Sequence, residues 1–300
     1  MNATLTALAA RKAQLLPPGT DAYRVADGSP WPGIFIDSLA GRWLISLRDV
    51  AELPADLQQQ LRAAGGDIYI KRLSKGDKCA PEPLLDAGAT APAQPTRFPV
   101  QENGGVRYLL NMQAGYSQGL FIDQRDNRAE VRRRCRPGDA VLNLFAYTGA
   151  FSVSAALGGA TTTTLDLAQP CLNWCRENMK LNGIDPDRHY FCKGDALHWL
   201  SRFARQGRLF QGIVLDPPTF SRDDKGRIWR AERDYGELVA KAAACLAPGG
   251  WMLCTTNCRK LSHAEFRRLV ADGAPGATLR SAPMPPDFDG EPYLKTLWIS

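Results

Sequence analysis

From Leu5 to Leu16 apolar residues recur at helical spacing and stop at Pro17-Pro18-Gly19, which predicts a short helix. Strand-like runs follow at Gly33–Asp37 and Trp43–Leu47, then a helix over Ala55–Ala64 closed by Gly65-Gly66, then a strand at Asp67–Lys71. The stretch Cys79–Pro99 is rich in Pro, Ala and Gly and reads as a surface linker. Pro99-Val-Gln, Glu102-Asn-Gly-Gly105 and Val106–Asn111 together spell a hairpin. These elements predict a small α+β domain over residues 1–113.

Residues 114–300 alternate between the two periodicities. A basic helix over Asp126–Arg134 precedes strand Ala140–Phe145, helix Phe151–Leu157, strand Thr161–Leu165 and helix Cys171–Leu181. Strand Tyr190–Cys192, helix Ala196–Ala204, strand Gly212–Leu215, helix Gly236–Leu246 and strand Trp251–Thr255 continue the series. A helix over His263–Val270 and two strands, near Thr278 and over Tyr293–Ile299, close it. Strand–helix alternation with right-handed crossovers predicts a doubly wound, mostly parallel, Rossmann-like α/β sheet.

Composition narrows the class. Of 300 residues, 44% are hydrophobic and 23% charged, so a wholly disordered chain is excluded. Lys and Arg number 37 against 31 acids, a net charge of +6 that favours polyanionic partners only weakly. No apolar run approaches the roughly 18 residues that cross a bilayer. Arg11 and Lys12 follow the first apolar residues, the reverse of a secretory signal. A soluble, cytoplasmic protein is expected. The eight cysteines lack Cys-x-x-Cys spacing with histidine partners and read as buried thiols, with no metal site.

In such a sheet ligands bind beyond the carboxyl ends of the strands, where the strand order reverses. The first strand runs out into Asn143-Leu-Phe-Ala-Tyr-Thr-Gly-Ala150, in which Gly149 allows a close backbone approach to a ligand. One glycine makes no phosphate cradle, which disfavours a dinucleotide oxidoreductase. Asp166 ends the second strand, suited to ribose hydroxyls, and Asp195 ends the third, suited to an adenine amino edge or to capping the next helix. After Gly212–Leu215 comes Asp216-Pro-Pro-Thr-Phe220, whose two prolines fix φ and withhold N–H donors, leaving a rigid carboxylate with outward carbonyls.

Three segments now resemble one family. Val141-Leu-Asn-Leu-Phe-Ala-Tyr-Thr-Gly-Ala-Phe151, Leu120-Phe-Ile-Asp-Gln-Arg-Asp-Asn-Arg128 and Asp216-Pro-Pro-Thr-Phe220 look like the bacterial large-subunit rRNA methyltransferases. These are class I S-adenosylmethionine-dependent enzymes of cytosine carbon-5 or guanine-N7, and the resemblance runs from about Tyr23 to the C-terminus. It implies S-adenosyl-L-methionine as cofactor, RNA (above all rRNA) as partner, and the N-terminal module as that family's central α/β domain. It implies that Phe145, Tyr147 and Gly149 line the methionine end, Asp166 the ribose, Asp195 the adenine, and Asp216-Pro217 the methyl-donor end. Asn143, Thr148, Leu167 and Ala196 complete the cofactor set, and Phe121, Gln124 and Arg125 close over it from the front. Several relatives begin with a further small RNA-binding domain, for which the residues before Tyr23 are too few.

The resemblance also bears on mechanism. Carbon-5 of cytosine needs a thiolate to attack carbon-6 first, and counting from Gly249-Gly250 the carbon-5 enzymes place that cysteine where this chain has Asn257. The guanine-N7 enzymes carry Asn there. Direct in-line transfer to a ring nitrogen is therefore expected, with Asp216, Pro217 and Asn257 orienting the acceptor and Cys254 and Cys258 as incidental thiols. A cation without a charge partner gains from the aromatic faces of Phe145, Tyr147 and Phe220. A carbon-5 enzyme with a cysteine nucleophile, and a protein or small-molecule methyltransferase, are the alternatives.

Two basic segments suit a nucleic acid. Residues 101–136 hold 7 Lys/Arg against 4 acids, and Arg125, Arg128 and Arg132 share a helix face, either as a phosphate-contacting stripe or as a solvated surface. Ser221–Arg233, with Arg222, Lys225, Arg227, Arg230 and Arg233 around Trp229, reads as a loop beside the acceptor. It serves either an unstacked RNA base or a substrate lid.

Overall fold

The computed structural model describes residues 4–73, 79–86, 88–115, 117–222, 226 and 228–300. Its contacts divide the chain into two units, Met1–Arg125 with Pro285–Pro292, and Asp126–Met284 with Tyr293–Ser300.

The N-terminal unit opens with α1 (Leu5–Ala13), whose first turn is capped by the Thr4 hydroxyl accepting from the Ala7 N–H at 3.3 Å. β1 (Ala22–Asp27), β2 (Ile34–Leu39), β3 (Arg42–Leu47), β4 (Ile68–Arg72) and β5 (Glu82–Pro83) form one sheet in that order. β3 and β4 run parallel, joined through α2 (Ala55–Ala64), and the other pairs are antiparallel. Leu5, Leu57 and Leu61 of the helices cover Val25, Ile36 and Ile45 of the sheet. β6 (Arg97–Glu102) and β7 (Val106–Asn111) make the expected hairpin, turned by Asn103-Gly104-Gly105, all three at positive φ. Phe98 and Val100 point inward, whereas Pro99, without an N–H to pair, faces out.

Two features of this unit depart from the sequence pattern. β1 was not expected, because a bulge between Arg24 and Ala26 breaks its alternation and its charged side chains are paired. The expected boundary after residue 113 moves to Arg125, and Pro285–Pro292 returns to this unit from far along the chain. The cause is electrostatic. The fully buried Asp287 carboxylate accepts from the Arg125 guanidinium and, at 2.9 Å, from the Arg24 N–H. Lys12 donates to the Asp287 carbonyl at 2.6 Å, and the Gly290 N–H donates to Asp27 at 3.1 Å.

The C-terminal unit runs from α3 (Arg125–Arg134) through β8 (Ala140–Leu144), α4 (Ala150–Leu157), β9 (Thr161–Asp166), α5 (Gln169–Leu181), β10 (Tyr190–Lys193), α6 (Ala196–Arg205) and β11 (Phe210–Leu215). A ribbon of β12 (Phe220–Arg222) and β13 (Ile228–Arg230) leads to α7 (Ala231–Ala243), β14 (Leu246–Thr256), α8 (His263–Gly273), β15 (Leu279–Ala282) and β16 (Lys295–Ile299). The sheet order is β10-β9-β8-β11-β14-β16-β15. It is parallel from β10 to β14, with β16 inserted antiparallel between β14 and β15. The strand order reverses between β8 and β11, the kind of position beside which such sheets bind ligands. One face buries Leu142, Leu200, Phe203, Leu238 and Phe266; the other buries Val131, Val141, Phe151 and Leu253.

Three expectations change here. Arg128 is buried, so the exposed stripe predicted with Arg125 and Arg132 does not form, while Arg133 and Arg134 are both bound by Glu130. The basic segment after Asp216 is a two-stranded ribbon rather than a loop, and Lys225 and Arg227 lie outside the described residues. α7 begins at Ala231 rather than Gly236, because Glu232 and Asp234 suit a helix N-terminus and Asp234 accepts from the Arg230 N–H at 2.8 Å. Among the described residues no helix is long and apolar enough to cross a membrane.

Candidate active site

β8 delivers its chain into a turn with an unusual backbone. Phe145 (φ +57°), Tyr147 (φ +49°) and Gly149 (φ +75°) are all left-handed, and two of the three carry side chains that disfavour it. Strain of this kind persists only where the surroundings fix it, and it concentrates at functional sites. The surroundings here are specific. The Ala146 N–H donates to the Leu165 carbonyl at 3.0 Å, and the Tyr147 N–H donates to Asp166 at 2.8 Å. Buried Asn178 of α5 donates to the Thr148 carbonyl at 2.9 Å. A Cβ on Gly149 would lie 2.0 Å from the Cys175 sulfur, so this glycine lets the turn pack closely against α5.

A cavity of about 390 Å³ opens at the carboxyl ends of β8, β9 and β10. Phe145, Asp166, Leu167, Asp195 and Ala196 line it together, five of the residues singled out in the sequence. The opposite wall belongs in part to the segment expected beside the acceptor. It comes from Ser221, Ile228 and Trp229 of the ribbon and from Arg233, Asp234 and Glu237 of α7. The ribbon is hooked inward, since the Trp229 indole N–H donates to the Pro218 carbonyl at 2.9 Å and its ring lies 5.7 Å from that of Phe145. The Arg/Trp segment after Asp-Pro-Pro, expected as a loop beside the acceptor, thus puts Trp229 and Arg233 into the cavity wall.

The two strand-end acids are held differently. Asp166 accepts from the N–H groups of Tyr147 and Ala168, at 2.8 and 2.9 Å, yet burial outweighs these bonds and raises its pKa above the usual 3.8. The Leu167 N–H adds a third bond, so about one of the carboxylate's four acceptor positions is left for a ligand. Asp195 caps α6 by accepting from the His198 N–H at 2.8 Å, while its residue also lines the cavity. The helix-cap and ligand readings of Asp195 are therefore compatible.

Asp216, Pro217 and Asn257 stand at the ends of β11 and β14 and do not line this cavity. The Asp216 carboxylate accepts from the Thr255 hydroxyl at 2.6 Å. Tyr235, fully buried on α7, aims its hydroxyl between the Leu215 and Thr255 carbonyls, at 3.0 and 2.9 Å, tying the two strand ends together. Exposed Asn257 accepts from the Thr219 hydroxyl at 3.0 Å. Cys254 and Cys258 are both fully buried, and burial drives the Cys254 thiol far above its usual pKa.

The remaining sequence-derived residues stand apart from the cavity lining. Asn143 is buried in β8, donating to Ser152 at 2.9 Å, and Tyr147 lies 6.3 Å from the Trp174 ring. Thr148 and Gly149 are buried in the strained turn. Phe220 is 52% exposed beneath Arg230. Phe121, Gln124 and Arg125 belong to the N-terminal unit, where Phe121 is exposed and Gln124 and Arg125 are buried. Among the described residues no group of three or more His, Cys, Asp and Glu is gathered as for a metal ion.

The cavity fits an adenine nucleoside. Two carboxyl-bearing strand ends stand over adjacent strands, and apolar Leu167, Ala196 and Leu197 lie beside them for a ring face. Comparison with known proteins agrees. Ribosomal RNA large subunit methyltransferase I of Aeromonas hydrophila is 34% identical over 263 residues, covering 85% of this chain and 66% of that protein. Ribosomal RNA large subunit methyltransferase K/L of Methylococcus capsulatus is 34% identical over 301 residues, covering 93% of this chain and 39% of that one. The chain thus spans less than two thirds of the length of either relative. A crystal structure of SMU.776 complexed with SAH superposes with a TM-score of 0.82 at 25% identity, covering 100% of this chain and 82% of that one. The model of the S-adenosylmethionine-dependent methyltransferase family matches residues 90–298, which include every residue of the cavity, and the chain belongs to that family.

Proposed function

We propose that this protein is a cytoplasmic enzyme that methylates a base of large-subunit ribosomal RNA by direct transfer to a ring nitrogen, as at guanine-N7. The names of its relatives support the RNA class. The observation that carries the ring-nitrogen reading is the state of the thiols. Cys254 and Cys258 are fully buried, while the side chain exposed at the end of β14 is Asn257. A carbon-5 mechanism requires an ionised, accessible thiolate, and burial of Cys254 opposes both.

S-adenosylmethionine, when bound, supplies an electrophilic methyl group on a sulfonium. Asp166 accepts a ribose hydroxyl on its remaining acceptor position, and Asp195 and Ala196 meet the adenine. Phe145 and Trp229 offer ring faces to a cation without a charge partner. Asp216, fixed by Thr255, and Pro217 border the methyl-donor end, and Asn257 with Thr219 orients the acceptor ring. A guanine N7 presents its own lone pair, so no proton need be removed before attack, and positioning carries the catalysis.

Mass spectrometry of nucleosides from RNA incubated with the enzyme and cofactor tests the proposal. A methylated purine nucleoside is expected, and the Cys254→Ala/Cys258→Ala double variant is expected to keep forming it. Loss of transfer in a folded double variant, or a methyl group on cytosine carbon-5, would overturn the ring-nitrogen mechanism. Methyl incorporation into protein alone would overturn the RNA acceptor.

A further inference from the structure

β10 is the outermost strand of the C-terminal sheet, and no described strand pairs with its outer edge. Its residues alternate between the two faces. Tyr190 and Cys192 share one face, with Cys192 packed among the residues under α6, and Phe191 and Lys193 share the other. Each face carries an arginine on a ring. The Arg208 guanidinium lies 5.1 Å from the Tyr190 ring, while one of its N–H groups donates to the Thr163 hydroxyl at 2.7 Å. The Arg176 guanidinium of α5 lies 3.8 Å from the Phe191 ring and 3.8 Å from exposed Asp187. On α6 the pattern recurs, with Arg202 at 4.9 Å from Trp199. Tyr190 is 56% exposed, and Lys193, Arg202 and Arg205 are exposed as well.

Charge alone would protect an open edge from pairing with another strand. That purpose does not call for a tyrosine held half in solvent, nor for guanidiniums stacked on rings. A stacked guanidinium still presents its N–H edge to an anion, and a ring covered on one side offers its other face to a base. On α3 Arg128 is buried, and although Arg134 lies 4.6 Å from the Trp298 ring, Glu130 binds both it and Arg133.

We infer that the open edge at β10, with the flanking surfaces of α5 and α6, is a second RNA-binding surface distinct from the acceptor site. Arg202 and Arg205, with the remaining N–H groups of Arg208, contact the phosphodiester backbone, and Tyr190 stacks an unpaired base. The inference rests on the RNA reading proposed above. It assigns the edge an anchoring role, so methyl transfer at saturating RNA does not depend on it.

Anisotropy titration of a labelled single-stranded oligoribonucleotide, across a range of salt, tests the surface on the full chain. The Arg202→Gln/Arg205→Gln variant is expected to bind more weakly and to lower the slope of log affinity against log salt by about 0.7 per arginine removed. Tyr190→Ser is expected to weaken binding roughly tenfold, and Tyr190→Phe to restore it. Arg267→Gln/Arg280→Gln, an equal charge change elsewhere, should leave the slope unchanged. In each variant S-adenosylmethionine affinity and kcat at saturating RNA should match the wild type, with the loss confined to KM for RNA. A wild-type chain that neither binds nor methylates RNA overturns the RNA reading and this inference together. A wild type that methylates RNA, with edge variants and controls behaving alike, overturns the edge alone.

Discussion

Asp166 shows what one carboxylate does at two levels of the structure. It stabilises the turn after β8 by accepting from Tyr147 and Ala168, and it presents its remaining acceptor position at the cavity. A charge-assisted bond to a ribose hydroxyl, at roughly 1.5–3 kcal/mol, predicts that Asp166→Ala weakens S-adenosylmethionine binding by about ten- to a hundredfold or more. Calorimetric titration would read this, and an unchanged affinity would remove Asp166 from the site. Because burial raises its pKa, Asp166 takes up its proton on acidification before an ordinary carboxylate would. Cofactor affinity should therefore begin to fall at a pH above 3.8, in a limb that Asp166→Asn abolishes. Asp166 was legible in the sequence because it directly follows the strand-favouring run Thr161-Thr-Thr-Thr-Leu165. Arg125 was not, because its partner Asp287 is 162 positions away and nothing local announces the burial.

At the scale of elements, Gly149 sets how closely β8, α4 and α5 assemble. Alanine there meets a left-handed φ and a Cβ–sulfur distance of 2.0 Å. Conformational strain of about 1–2 kcal/mol and overpacking of about 1–3 kcal/mol add to an expected loss of about 2–5 kcal/mol. Urea unfolding should show a lower midpoint with the slope unchanged. Cys175→Ala should not restore stability to Gly149→Ala, since the Cys175 Cβ itself stands 2.6 Å away, and full rescue would refute the packing argument. The parallel strands and their terminal acids were readable because short β-branched or apolar runs, Thr161–Leu165 and Gly212–Leu215, each stop at an acid. β12 and β13 were not, because three residues each are too few for alternation to register, and the Trp229–Pro218 bond that folds them inward leaves no local pattern.

At the scale of the whole chain, the fold depends on a charge cluster whose members are far apart in sequence. The polypeptide leaves the C-terminal sheet after β15, contributes Pro285–Pro292 to the N-terminal unit, and returns as β16. Asp287 holds that excursion in place, with Arg24 and Arg125 on its carboxylate and Lys12 on its carbonyl. Replacing such a cluster wholesale with apolar residues can be neutral, but removing one partner leaves a desolvated charge, at a cost of about 3–5 kcal/mol. Asp287→Asn keeps the volume and one acceptor while cancelling the charge opposite Arg125, whose side chain is fully buried. Urea unfolding of this variant should therefore show a transition at clearly lower denaturant, and limited proteolysis should cut within the N-terminal unit first. Glu130→Gln is the control. That carboxyl is held below its usual 4.5 chiefly by the Arg133 hydrogen bond, a contribution present above pH 4.5 and lost as the pH falls, but Arg133 is solvent-exposed and screened. Its removal should not shift the midpoint measurably. Equal effects of the two substitutions would mean that the buried cluster contributes no more than a surface pair, and that something other than charge returns Pro285–Pro292 to the N-terminal unit.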